Sequence, residues 1–358
     1  MISISNLKRS RLSVGINPFS HAAATKLKAP VYPVSIVATG SYKPSNIVPS
    51  SEIDKKLGYN TGYTERLTGV RSRPIVLNES TVEMAAAAAR HALKKVNMQA
   101  NELDCIIYAG AVTYQAIPIS AVFVQRALGL QFDSVPCFDV NTTCLSFLAA
   151  FDMACALMLA GRYKCILVCS ADSPSLGLDW KNPEAAAIFG DGAGAAILRP
   201  SENQTGVMSI LFETYSEGAD ACQMKALGTN LNPHNDLEKF LAGTVFEMNG
   251  SKAYEIASKK MPGFFQRLLE SAQLSLGDID LIIPHQASAY ALKRMTRRLG
   301  LPADKVVDIF STHGNQVSAS LPTALDAAYS SGKITAGQTI LLLGTGAGIT
   351  LGGAVVRV

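Results

Sequence analysis

The sequence predicts an α/β protein of two homologous halves, each built on a buried mixed sheet, with helices between and outside the sheets. Internal repetition is the first reason. Glu102-Leu-Asp-Cys-Ile-Ile107 is echoed by Asp278-Ile-Asp-Leu-Ile-Ile283, and Lys164-Cys-Ile-Leu-Val168 by Gln338-Thr-Ile-Leu-Leu342. Gly194-Ala-Ala-Ile-Leu-Arg199 returns as Gly352-Gly-Ala-Val-Val-Arg357. The offsets are 176, 174 and 158 residues, in one order, and the last is shortened by an extra first-half loop, SPSLGLDWKNPEAA. Alternation of short β-branched runs with longer Ala- and Leu-rich stretches is the second reason. Composition is the third: 358 residues, 48% hydrophobic and 17% charged, describe a large core under a modest surface.

Taken in order, residues 1–30 form a basic extension, 31–203 the first half and 204–358 the second. From Met1 to Ser51 there is no Asp or Glu, while Lys8, Arg9, Arg11, Lys26, Lys28 and Lys43 are present. That pattern is shared with organelle transit peptides, but a surface extension is the expected reading. Helix-like segments, ARHALKKVNMQAN and QRLLESAQLSLG, precede the two members of the first echo. Phe138 to Val140 reads as a short strand, and Leu145 to Gly161 as a helix apolar on nearly every face. Such a helix belongs at the centre of a protein. Two sheets packed around central helices, five layers in all, is the economical arrangement.

Other classes fall away. The net charge of +4 comes without a basic stripe, which argues against a nucleic-acid binder. The seven cysteines form no CxxC pair, so neither a metal site nor a disulfide framework is expected, and a reducing, cytoplasmic setting is. No window reaches the roughly 18 uninterrupted apolar residues of a membrane span.

Two cysteines belong to this stretch, one before the central helix and one inside it. Cys144 lies where a strand hands over to its first turn; there unpaired N–H groups and the helix dipole favour an anion and are expected to lower the thiol pKa. Cys155, three turns further in, reads as core. Among five histidines, His285 follows the strand Leu281 to Ile283, where ligand sites of α/β sheets gather, though a capped surface histidine fits equally. His313 precedes Gly314-Asn315, a tight turn before a helix. Asn315 there either caps that helix, the commoner role, or faces a ligand. Gly344 to Gly353, GTGAGITLGG, provides a loop for close backbone approach or a plain turn between strands. It is not a nucleotide loop, since GxxxxGK[ST] is absent and no helix follows.

These motifs together resemble the β-ketoacyl-acyl carrier protein synthase III family of thiolase-like condensing enzymes, over residues 31–358. The shared pieces are TGSYKPSNIV at 39–48, TGVRSR at 68–73, FDVNTTC at 138–144, IFGDGAGAAIL at 188–198, PHQA at 284–287, HGNQVSASLPTAL at 313–325 and GAGITLGGAVVRV at 346–358. The resemblance implies the thiolase fold, a homodimer, and a catalytic set of Cys144, His285 and Asn315, with the N–H groups of Cys144 and Ala347 as oxyanion donors. Residues 344–358 hold no second cysteine, unlike biosynthetic thiolases. It implies that Cys144 attacks an acyl thioester and that a malonyl-ACP or malonyl-CoA then loses CO₂ and condenses with the acyl group, with no metal or redox cofactor.

Departures from the family touch the same places. Thr143 and Leu145 replace small neighbours of the nucleophile and are expected to shape the acyl pocket, as is Ile117, where the family often carries a Phe across the dimer interface. Ala347 stands in a Gly-Gly-Gly turn, strained if its φ is positive. Tyr63 takes the position of a Trp that stacks on coenzyme A, and the Arg opposite falls near Pro183. Arg297 and Arg298 match the family's basic patch for acyl carrier protein; either is equally at home on an ordinary solvated helix face. The competing readings are a non-decarboxylating acyltransferase that passes the Cys144 acyl group to another nucleophile, and a silent partner subunit, which the intact Cys-His-Asn set opposes.

Overall fold

The computed structural model describes residues 32–182, 186–201 and 205–358; the basic extension and Pro183 lie outside the described residues. Its strands are β1 (Val34–Tyr42), β2 (Ile47–Pro49), β3 (Ser72–Pro74), β4 (Cys105–Tyr108), β5 (Cys137–Asp139), β6 (Ile166–Asp172), β7 (Gly192–Pro200), β8 (Gly206–Thr214), β9 (Cys222–Gln223), β10 (Glu247–Met248), β11 (Leu281–Pro284), β12 (Thr339–Gly346) and β13 (Thr350–Arg357).

The two large sheets repeat one design. The first runs β1-β7-β6-β4-β5 and the second β8-β13-β12-β11. In both, the first two pairings are antiparallel and the third is parallel. The sequence echoes therefore fall on β4 and β11, β6 and β12, β7 and β13. The first sheet adds β5 at its edge, parallel to β4; its counterpart in the second is a single parallel bridge between Ile282 and Val306.

Alternation along the strands explains the layering. Ile107, Val168 and Leu198 face inward, with Ile283, Leu342 and Val356 of the other sheet, onto the central helix Ser146–Leu159 and its counterpart Ser320–Ser330. Their neighbours Ile106, Leu167 and Ile197 face the outer helix Thr81–Lys95, and Ile282, Leu341 and Val355 the outer helix Gly250–Ala272. Strands buried on both faces read as near-continuous hydrophobic runs, which is how these appear in sequence. The outer helix Thr81–Lys95 starts at a Ser80/Glu83 capping box and presents a run of alanines to the sheet. Those alanines let it sit so close that a Cβ at Gly40 would fall 2.2 Å from the Ala88 carbonyl oxygen. Among the described residues no helix is long and apolar enough to cross a membrane.

Candidate active site

The duplication carries down to two loops, one in each half, that enter the central helices. In the first, Asn141 Oδ1 accepts from the Thr143 N–H at 2.8 Å, and the Thr142 N–H donates to Ser146 Oγ at 3.0 Å. In the second, Asn315 Oδ1 accepts from the Val317 N–H at 2.8 Å, and the Gln316 N–H donates to Ser320 Oγ at 2.9 Å. Each asparagine also donates its Nδ2 to a carbonyl at the end of a matching strand, Ala111 at 2.9 Å and Ala287 at 3.2 Å. Each loop then passes through a left-handed residue, Thr143 at φ 55° and Val317 at φ 52°. That conformation costs a β-branched residue about 1–3 kcal/mol, which the paired hydrogen bonds help offset. A three-residue 3₁₀ turn follows in both, Thr143–Leu145 and Val317–Ala319, before the helix proper. Cys144 and Ser318 are thus equivalent positions.

The left-handed turn sends neighbouring side chains in opposite directions. Cys144 and Thr143 line a cavity of about 1370 Å³. Leu145, expected to shape the acyl pocket, is fully buried core instead. It fills space left by strand glycines: a Cβ at Gly344 or Gly352 would lie 2.8 Å or 3.0 Å from its methyl groups. The expected glycine loop is correspondingly a hairpin, in which only residues 347–349 lie outside β12 and β13.

His285, just past β11, is anchored by its N–H to the Leu343 carbonyl at 2.8 Å, and its Nδ1 is buried without a partner. Burial lowers its pKa to about 4, so the ring is neutral near pH 7. Asn315 spends one Nδ2 hydrogen on Ala287 and keeps the other. His285, Asn315, Ala347 and Cys144 all line the same cavity. His313 does not; its Nδ1 stays within 3.2 Å of the Ile309 carbonyl at the end of its own short helix. Gly314, at φ 66°, supplies the sharp bend between them.

The thiol departs from expectation. Burial pushes Cys144 up to about 12, and the Asp172 carboxylate adds to the rise. The N–H groups of Ala347 and of Cys144 itself point at the sulfur and pull the other way. The regular helix begins only at Ser146, and desolvation outweighs its dipole. Ala347 is not among the left-handed residues; that conformation falls on Gly348, at φ 129°, so the substitution carries no backbone strain.

The remaining candidates lie off the cavity. Tyr63 opens the short helix Tyr63–Thr68 and stacks on Tyr59, ring centroids 4.5 Å apart, while Leu67 and Thr68 of that helix reach the cavity wall. Arg297 and Arg298 are exposed in the last turn of the helix Ala289–Arg298, whose other face, with Ala291 and Met295, lines the cavity. Ile117 is 84% exposed and is not part of this chain's cavity wall. Among the cavity residues that escaped the sequence reading are Asp172 at the end of β6 and Cys222 on β9. Aligning NTTCLS with NQVSAS would have shown the loop pairing, and Asp172 ends a strand as His285 follows one.

Comparison with known proteins agrees. The model for 3-oxoacyl-(acyl-carrier-protein) synthase III matches residues 138–218, and its C-terminal counterpart matches 269–358. The chain is 32% identical to the β-ketoacyl-(acyl-carrier-protein) synthase III of Clostridium acetobutylicum over 90% of its length and 98% of that protein. With the Neisseria meningitidis enzyme the identity is 34% over the same shares, 90% and 98%. The Aquifex aeolicus 3-oxoacyl-(acyl-carrier-protein) synthase III structure superposes at TM-score 0.82, with 28% identity over 91% of this chain and all of that one. The priming β-ketosynthase of the R1128 polyketide pathway superposes at 0.83, with 26% identity over 92% of this chain and 97% of that one. This chain belongs to the 3-oxoacyl-acyl carrier protein synthase III family of condensing enzymes and has the thiolase fold.

Proposed function

We propose that the protein starts acyl chains by loading an acyl group from a thioester onto Cys144 and condensing it with a malonyl thioester as CO₂ leaves. The observation that carries this reading is the convergence of Cys144, His285, Asn315 and Ala347 on one cavity. The N–H groups of Ala347 and Cys144 favour negative charge at the sulfur. Those two donors would hold the carbonyl oxygen that becomes an oxyanion when the thiol attacks. Loading requires loss of the thiol proton; the neutral imidazole of His285 is the base in the cavity able to take it and to return it to the donor's departing sulfur, which leaves as a thiol.

In the second half-reaction the thioester carbonyl of the malonyl group lies between His285 Nε2 and the free Nδ2 hydrogen of Asn315. A neutral histidine donates there without adding charge, and both donors strengthen as the enolate forms. The enolate carbon then attacks the acyl-cysteine, releasing the thiolate and a 3-oxoacyl product. The sequence calls on no metal or redox cofactor. Thr143 forms part of the wall beside the acyl group. Tyr63 and the basic pair Arg297 and Arg298 flank the cavity on the surface, where they suit a coenzyme A or acyl carrier protein donor.

We also place the enzyme in a reducing compartment as a homodimer. All seven cysteines are free thiols. Ile117, at 84% exposed, and Phe132, at 94%, stand out on segments flanking the helix Ser120–Ala127, which packs on edge strand β5. A second copy would cover them. The test separates the half-reactions: Cys144→Ala takes no acyl group, Asn315→Ala is acylated on Cys144 but releases no CO₂ from malonyl thioester, and His285→Ala is slowed in acylation and releases no CO₂. Acylation of the Cys144→Ala protein would refute the assignment.

A further inference from the structure

The carboxylate of Asp172 occupies a place that the condensation does not explain. It is 3% exposed, at the end of β6, yet lines the same cavity as Cys144. Its Oδ2 accepts from the Ser318 N–H at 3.0 Å and from the Ser318 hydroxyl. Its Oδ1 accepts from the Ala111 N–H at 3.2 Å and the Val112 N–H at 3.4 Å. Ser318 is the equivalent of Cys144 in the second loop, three residues after Asn315. The Ala111 carbonyl in turn receives Asn141 from the first loop. One carboxylate therefore joins the loop that presents the thiol to the loop that presents the carboxamide.

Resting on the function proposed above, we propose that Asp172 is a positioning residue of the condensation. Through Ser318 it fixes the Asn315 loop against the Cys144 loop, and its carboxylate places a negative charge in the thiol's own cavity, so that the thiol proton leaves only to His285 as a thioester is attacked. Asn315 makes no side-chain bond beyond its own loop and the Ala287 carbonyl. Its loop is tied to the nucleophile half by the Ser318–Asp172 contact, by Gln316 Nε2 donating to the Asp191 carbonyl at 3.0 Å, and by the backbone bridge to Phe189. Of these ties only the first brings a carboxylate to the wall of the cavity that Cys144 lines. The titratable groups facing Cys144 are Asp172 from β6, Cys222 from β9 and the neutral His285 beyond β11; behind Asp172 lies Tyr108. Burial lifts Asp172 itself to about 6, against the hydrogen bonds from Ser318, Ala111 and Val112. It is charged at neutral pH, and a neighbouring negative charge opposes thiolate formation.

The experiment compares Asp172→Asn and Ser318→Ala with the unaltered protein by two readouts. The first is the rate of iodoacetamide alkylation at Cys144, mapped by peptide mass from neutral to alkaline pH. Asp172→Asn should raise it about three- to tenfold near neutrality, because a one-unit fall in thiol pKa gives tenfold more thiolate of somewhat lower nucleophilicity. Ser318→Ala keeps the carboxylate, though with one fewer hydrogen bond favouring its charge, and should match the unaltered profile in the alkaline range, where the carboxylate is charged in both. The second readout is the pair of half-reactions. Both variants should still acylate Cys144, while CO₂ release from malonyl thioester falls about ten- to hundredfold, as expected for a misplaced donor.

Alkylation of the buried Cys155 or Cys169 would report lost packing in the Asn variant, and Ser318→Ala then decides the matter. An Asp172→Asn profile that overlays the unaltered one, or CO₂ release that falls only in step with acylation, overturns the proposal. Unaltered protein that never acylates Cys144 overturns the proposed function instead, and the alkylation comparison still decides the electrostatic role of Asp172.

Discussion

At the scale of single residues, the site is governed by burial more than by dipoles. Cys144 was expected to be an activated thiolate from its place before a helix, but the cavity desolvates it and Asp172 opposes ionisation. Its reactivity toward a small neutral alkylating agent should therefore be low near neutral pH and climb steadily into the alkaline range. Peptide mapping against pH checks this, and a plateau already reached at pH 7 would contradict it. Leu145, one position along, belongs to the core. Leu145→Ala should cost about 2–5 kcal/mol in a denaturant titration, the usual range for a large cavity-forming change. The same substitution at the exposed Ile117 should move a separated monomer by less than about 0.5 kcal/mol. Sequence alone assigned Ile117 to a pocket across a dimer interface, and its exposure in one chain suits that place. It treated Leu145 as a pocket residue, because adjacency to the nucleophile does not reveal direction. That direction is set by the left-handed φ of Thr143, which composition and spacing do not disclose.

At the scale of elements, the paired loops make a mirrored prediction. Asn141 and Asn315 make the same two hydrogen bonds, one in each half. Asn141→Ala should loosen the Cys144 turn and slow acylation while leaving CO₂ release from pre-acylated enzyme near its original rate. Asn315→Ala should do the reverse. Single-turnover rates for each half-reaction measure both, and equal losses in both steps for both variants would contradict the symmetry. The exposed Asn141 pair should cost only about 0.5–1.5 kcal/mol in stability. This symmetry was partly legible: the three strand echoes were plain because buried strands must keep their hydrophobic runs. The loops were not, since NTTCLS and NQVSAS share only Asn and Ser, the two residues whose side chains build the turn. Asp172 was hidden for a similar reason, as one carboxylate at a strand end has no spacing partner in sequence. Of the two readings of Gly344 to Gly353, a turn between strands describes most of it. Its glycines are set by side chains packing onto strands, with Leu145 against Gly344 and Phe212 against Gly352.

At the scale of the whole molecule, titration of buried groups predicts how stability follows pH. His285 and His313 are both lowered from 6.5 to about 4 by burial. A depressed folded pKa gives stability that is present above the unfolded pKa and lost as pH falls toward the folded one. Each histidine should therefore cost about 2 kcal/mol by pH 5. Asp172, raised from 3.8 to about 6, works oppositely: its burden on the fold is absent in acid and returns as pH rises through 6. It should give back about 1 kcal/mol at pH 5. Denaturation midpoints should fall between pH 7 and pH 5, and less so in a folded His313→Asn variant. Midpoints that rise on acidification would contradict the assignment. Sedimentation should likewise find a dimer that Ile117→Asp weakens, and a monomer at all concentrations would refute the covered face around β5. The central claim is that one cavity both loads an acyl group and condenses it. The most direct measurement takes enzyme pre-acylated on Cys144, adds a malonyl thioester carrying a labelled free carboxyl group, and follows intact mass and labelled CO₂ in a single turnover. The account predicts that the adduct disappears as one equivalent of CO₂ and one of 3-oxoacyl thioester appear. An adduct that persists, or leaves to water or another nucleophile without CO₂, would contradict it.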